Sequence, residues 1–124
     1  MTARSIWLAG ALLGGLGVAL GAFGAHGLKK IASAEMLQIW ETAVRYHMDH
    51  AIALIGLGLF ADRFPASGAG IAATLWLAGI AIFSGTLYAM TLTGARWLGA
   101  ITPIGGVALI AGWVAFAVAI ARVR

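Results

Sequence analysis

Three stretches of more than twenty consecutive residues, 5–25, 68–91 and 97–121, carry almost no charge, and each is long enough to cross the hydrocarbon of a bilayer as a helix. That pattern constrains the fold more than any motif. Lipid can satisfy no backbone amide, so such stretches cross it as helices that bond internally. Composition agrees: 62% of the 124 residues are hydrophobic and 10% are charged, against roughly a quarter charged in an ordinary soluble domain. The eight basic and four acidic residues lie between or beside the apolar runs.

A fourth span is less direct. The uninterrupted apolar run 51–61 is short, but it continues a helix expected to begin at Ser33, whose hydroxyl can cap it and whose Glu35 suits a first turn. The expectation is an all-α membrane protein, a bundle of four transmembrane helices in a single domain 1–124, with spans at about 5–25, 41–61, 68–91 and 97–121. A cleaved signal peptide is the alternative reading of the first stretch, but its length and its glycine stripe suit a packed span better.

Four spans put both termini on one side, here side A, with Arg4, the Asp62–Pro65 turn, Arg122 and Arg124. Side B then holds the loop after His26 and the turn at Arg96. Basic residues divide evenly between the sides, and side A is assigned to the cytoplasm on the expectation that Arg45 lies inside the bundle. The dispersed positive charge, net +4, suits anionic lipid headgroups and no nucleic acid. Without cysteine there is no disulfide, thiolate metal site or thiol nucleophile.

Gly10, Gly14, Gly17, Gly21 and Gly24 recur at spacings of four and three, and so do Gly105, Ala108, Gly112, Ala115 and Ala119. Each set lies on one helix face and predicts close helix contact, within the chain or in a homo-oligomer formed through these striped helices. Pro103 is expected to bend the last span. Trp7, Trp40 and Trp97 suit interfacial belts.

Polar residues inside spans are costly and tend to face a bundle interior or a cavity. Counting back from Phe60, Glu41 falls at the side B boundary, Arg45 about 6 Å deeper and His50 near the midplane. Ser84, Thr86, Tyr88, Thr91 and Thr102 belong to the same half. We therefore expect a polar cavity open to side B. Glu41, Arg45 and Asp49, at successive spacings of four, form a charge ladder that lets Arg45 enter the membrane. His47 and His50 could share a face, either satisfied by neighbours or relaying a proton. A zinc site of three histidines and Asp49 is disfavoured, because His26 and His50 differ in depth by about 13 Å. The glycine pairs lie inside apolar helices and Ser84 lacks a nucleophile-elbow context, so no enzyme, cofactor or metal chemistry is expected.

GAFGAHGL at 21–28, the Thr42, Tyr46 and His50 positions within WETAVRYHMDH, FSGTLY at 83–88, and TPIGG followed by GW at 102–113 together resemble the YgdD-like family of small bacterial inner-membrane proteins, which has an animal counterpart. The resemblance implies a multi-pass inner-membrane protein of unknown function. It also implies that the positions of Glu41, Arg45 and Asp49 need not be charged in the family. The candidate cavity residues are His26, Thr42, Arg45, Tyr46, His50, Ser84, Tyr88 and Thr102; most of them belong to both the motifs and the polar half. The expected role is binding of a small polar ligand or lipid headgroup, or a structural one, with proton or small-solute transport through His50 as the alternative.

Overall fold

The computed structural model describes residues 1–123, so Arg124 and its share of the side A charge lie outside the described residues. The chain is all-helical. α1 runs Ala3–Ala25 and α2 Ala34–Arg63. α3 runs Ala69–Thr93 and α4 Thr102–Ala121. Single 3-10 turns at Leu28–Lys30 and Arg96–Ala100 occupy the side B connections. α1, α3 and α4 are long and apolar enough to cross a membrane, α4 together with its leading turn. α2, interrupted by Glu41, Arg45 and Asp49, is long but less apolar.

The ends follow local chemistry. Thr2 Oγ1 accepts the Ser5 amide and Ser33 Oγ the Met36 amide, so each caps orphan donors of a first turn. Gly94, at φ 73°, closes α3 in the left-handed conformation that a residue without a Cβ adopts freely. The last helix starts at Thr102, later than the sequence suggested, and Pro103 sits in its first turn. There its missing N–H costs nothing and its fixed φ suits the helix, so Pro103 starts α4 and does not bend it.

α1 and α2 pack antiparallel, as do α3 and α4, and α2 joins the two hairpins by packing on α3. Three glycines are sockets for indole rings. Trp40 lies over Gly24, Trp7 over Gly58 and Trp76 over Gly112, each so close that a Cβ would overlap the ring edge. Gly105 differs, because it brings α4 against the backbone of Phe83. The glycine stripes are thus largely used within the chain, while Gly14 and Gly15 face open space.

α3 is interrupted by a π-helical turn, Ile80–Ser84. The widened turn aims the Ser84 hydroxyl at α2 and keeps the Phe83 backbone against α4. The core runs from Ile6, Leu54 and Leu57 through Ala72, Ala73 and Trp76 to Ile80 and Leu109.

Arg96 tethers the α3–α4 connection to the start of α2 by donating to both Glu35 carboxylate oxygens, at 3.1 and 3.3 Å. These hydrogen bonds, and then the Arg96 charge, hold the Glu35 carboxyl below its usual 4.5. A lowered carboxyl contributes stability that is present above the unfolded value and lost as pH falls through the folded one. Both groups are exposed, so the contribution is small. Glu35→Gln should therefore remove a modest loss of thermal stability that develops as pH falls below the usual carboxyl value of 4.5, a difference that melting curves of the two proteins would read.

Candidate functional site

α2 brings polar side chains to three helices at once, because Trp40, Ala43, His47 and His50 recur on the face it buries. Towards α1, the Trp40 indole donates to Leu20 O at 2.9 Å and His47 Nε2 to Leu13 O at 2.8 Å. Both carbonyls lie one turn before a glycine: Gly24 admits the Trp40 ring, whereas Gly17 is filled by Met48 with the His47 ring at ordinary contact distance. Towards α3, His47 Nδ1 meets the Tyr88 hydroxyl at 3.0 Å, and Ser84 Oγ donates to Ala43 O at 2.8 Å. Towards α4, Trp113 Nε1 donates to His50 Nε2 at 3.0 Å. Thr86 and Thr102, 2.7 Å apart, link α3 to α4.

The indole can only donate, so His50 Nε2 must be the bare nitrogen, and the ring proton sits on Nδ1, where it bonds Tyr46 O at 2.7 Å. A second proton on Nε2 would point at the Trp113 N–H. His47 has the opposite tautomer, since the Leu13 carbonyl can only accept from Nε2 and Nδ1 then takes the Tyr88 proton. Rings of Trp76 and Trp113, 4.6 Å apart, enclose His50 from the remaining sides, and Phe116 packs on both. One donor is left over: Trp76 Nε1 is buried without a partner.

Of the eight candidate residues, the structure brings His50, Ser84, Tyr88 and Thr102 into this network. The other four are placed differently. His26 is exposed at the end of α1. Thr42 folds back onto Gln38 O of its own helix, at 3.0 Å. Tyr46 is 42% exposed and stacks on Phe83, contributing its backbone carbonyl to the site. Arg45 lies on the outer face of α2, not in the bundle, which removes the ground for assigning side A to the cytoplasm. The physical reason is angular: residues 41, 45 and 49 lie opposite the face carrying Ala43, His47, His50 and Leu54, and that face is the one α3 covers. Glu41 and Asp49 lie on that outer face with Arg45, and among the described residues the ion pair that forms is Arg96 with Glu35, so the ladder is unpaired.

Where a cavity was expected, the space is filled by side chains bonded to one another. Sequence reasoning missed Trp40 and Trp113 as members, and it left His47, though read beside His50, out of the eight candidates. The Trp40 signal was available, since it lies three and ten residues from Ala43 and His50 on the same face, but a tryptophan near a helix end reads equally well as an interfacial anchor. A shallow groove of about 210 Å³ does open on the surface between α1 and α2, lined by Gly21, Gly24, Trp40, Glu41, Val44 and Arg45, with Ala25 at its end.

Residues 20–106 match the family described as "Protein of unknown function (DUF423)". The chain is 49% identical over 113 residues to the UPF0382 membrane protein YwdK of Bacillus subtilis, covering 89% of this chain and 90% of that protein. It is 42% identical over 107 residues to a UPF0382 membrane protein of Haemophilus influenzae, covering 86% of each. It is 37% identical over 115 residues to the UPF0382 membrane protein C1782.12c of Schizosaccharomyces pombe, covering 88% and 95%. No solved structure matches the chain.

Proposed function

Because the chain belongs to the DUF423 family of UPF0382 membrane proteins of unknown function, we propose that it is a non-enzymatic membrane component that works by contact through its outer surface, with a closed interior. The observation that carries this reading is that the inward imidazoles and hydroxyls, His47, His50, Ser84, Tyr88 and Thr102, are already bonded to neighbouring side chains or carbonyls. Both nitrogens of each imidazole are engaged, and each of these hydroxyls has a partner within the bundle. Ser84 Oγ, the one buried serine hydroxyl among the spans, donates to a carbonyl and meets no base.

On the same reading all four helices cross the membrane as one domain. Contacts place Trp40 level with Gly24, Ala43 with Ser84, Thr86 with Thr102 and Gly58 with Trp7, which aligns the apolar parts of the four helices. The 20 residues of α4 measure about 30 Å, the thickness of a hydrocarbon core. α2 is 30 residues long, about 45 Å, so its first turns stand beyond that layer on side B. The finer assignment to YgdD-like proteins of a bacterial inner membrane rests on the motifs at 21–28, at Thr42, Tyr46 and His50, at 83–88 and at 102–113, of which the last extends beyond the matched residues 20–106.

Proteoliposomes loaded with a pH-sensitive dye test the closed interior. The wild type should dissipate an imposed proton gradient no faster than empty vesicles. A pH-dependent flux that His50→Ala abolishes would replace this reading with transport. The surface groove favours a second reading, occupancy by a phospholipid with its headgroup at Glu41 and Arg45. Native mass spectrometry from mild detergent would then show a retained lipid mass that Arg45→Ala loses.

A further inference from the structure

We propose that the exposed face of α2 is an interface between two copies of this chain, with α2 beside α2 and Arg45 of each copy paired with Asp49 of the partner subunit. The inference rests on the reading that α2 crosses the membrane. The outward surfaces of the other helices are apolar, as Leu8, Leu12 and Leu16 show on α1, Ile71 on α3, and Ile104, Val107, Ile110 and Val114 on α4. Only α2 turns charge outward within its apolar length, at Arg45 and Asp49, with Glu41 at the boundary. None of these three has an ion-pair partner among the described residues. Charges at such depth face a protein partner or water in preference to lipid tails.

A second copy is the occupant that the pattern itself describes. The outer face continues from Arg45 and Asp49 through Ile52, Gly56 and Leu59 to Arg63. The spacings alternate four and three, the seam of two parallel helices crossing at a small angle. Copies inserted in the same orientation place their α2 helices parallel. Gly56 would let the two backbones approach, since a Cβ there meets nothing within its own chain. Arg45 and Asp49 are one turn apart, about 6 Å along the axis, within reach of an extended guanidinium. A two-fold axis along the seam then makes two equivalent Arg45–Asp49 pairs, while Glu41 stays at the aqueous edge. The charge order is self-complementary and requires no second protein.

The chain has no cysteine, so Gly56→Cys introduces one reporter on the seam. Oxidation of native membranes should give a disulfide-linked dimer from Gly56→Cys, whereas Leu12→Cys and Val107→Cys, on apolar outer faces, should give little. In the Gly56→Cys background, Arg45→Asp and Asp49→Arg should each reduce the dimer by at least about tenfold, because an unpaired intramembrane charge costs more than one decade of association. Co-expressing those two charge variants with different tags should restore the cross-link between unlike chains only, since one chain then carries two acids at the seam and the other two bases; a misfolded variant could not be rescued this way.

Equal cross-linking at Leu12 or Val107, or failure of the mixed pair to recover, would overturn the interface. So would a monomer that holds one phospholipid lost with Arg45→Ala, which would give the face to lipid. Labelling of Gly56→Cys by a membrane-impermeant maleimide would instead refute the four-span reading beneath it.

Discussion

Gly105→Ala will separate α3 from α4. A methyl group at this position would sit 2.8 Å from Phe83 Cα and 2.9 Å from the Ile82 carbonyl carbon. These are backbone atoms, so no side-chain rotation relieves the overlap and one helix must move. The movement would break the Thr86–Thr102 hydrogen bond and lift Gly112 off Trp76. The expected cost is about 3 kcal/mol or more, at the upper end of overpacking effects. Gly14→Ala and Gly15→Ala are the matched controls, because nothing lies within 4 Å of their added methyl groups. They should change stability by no more than about 1 kcal/mol, in the stabilising direction set by helix propensity. Unfolding midpoints in mixed micelles would rank the three, and an unaltered Gly105→Ala midpoint would mean that the α3–α4 contact is looser than described.

His50→Ala should have the second largest effect. It removes a ring packed against Trp76 and Trp113 and leaves the Trp113 N–H without its acceptor. The lost packing and the orphaned donor together predict about 2–4 kcal/mol. Trp113→Phe leaves the His50 Nε2 lone pair without its donor but keeps an aromatic ring in place, and should cost less. The double variant His50→Ala with Trp113→Phe should then be more stable than the sum of the single effects predicts, by about 1 kcal/mol, the usual net worth of one hydrogen bond. Strict additivity would show that the two side chains are neighbours without being bonded.

The helices were legible because apolar length and caps are local properties. Ser33 begins α2 as its hydroxyl and the following Glu35 suggest, and His50 stands level with Trp113, about half-way along α4. What could not be read was which of two polar faces of α2 turns inward. Both Glu41, Arg45, Asp49 and Trp40, His47, His50 have helical spacing, and the rule that polar groups point inward applies to each. Only packing decides, and it selects the face whose groups can donate to carbonyls beside glycines, leaving the full charges outside. The glycine stripes were read as contact faces, which they mostly are, yet their partners are mixed: Trp40 at Gly24, Trp76 at Gly112, Met48 at Gly17, Leu54 and Ile55 at Gly10, and the Phe83 backbone at Gly105. That detail depends on register between helices far apart in sequence.

The π-helical turn at Ile80–Ser84 bears on how many residues α3 can hold. It accommodates one more residue than an α-helical turn would. A single-residue deletion within the turn would draw it back to an α-helical one with both flanks kept in place, whereas a further insertion, equally silent in hydropathy and composition, would rotate one half against the other by about 100°. Tyr88 would swing away from His47 and Thr86 from Thr102, while Trp76 kept its socket on Gly112. In evolutionary terms, this stretch can drift in sequence among apolar residues and can lose its surplus residue, but an insertion there must be matched by a deletion within α3.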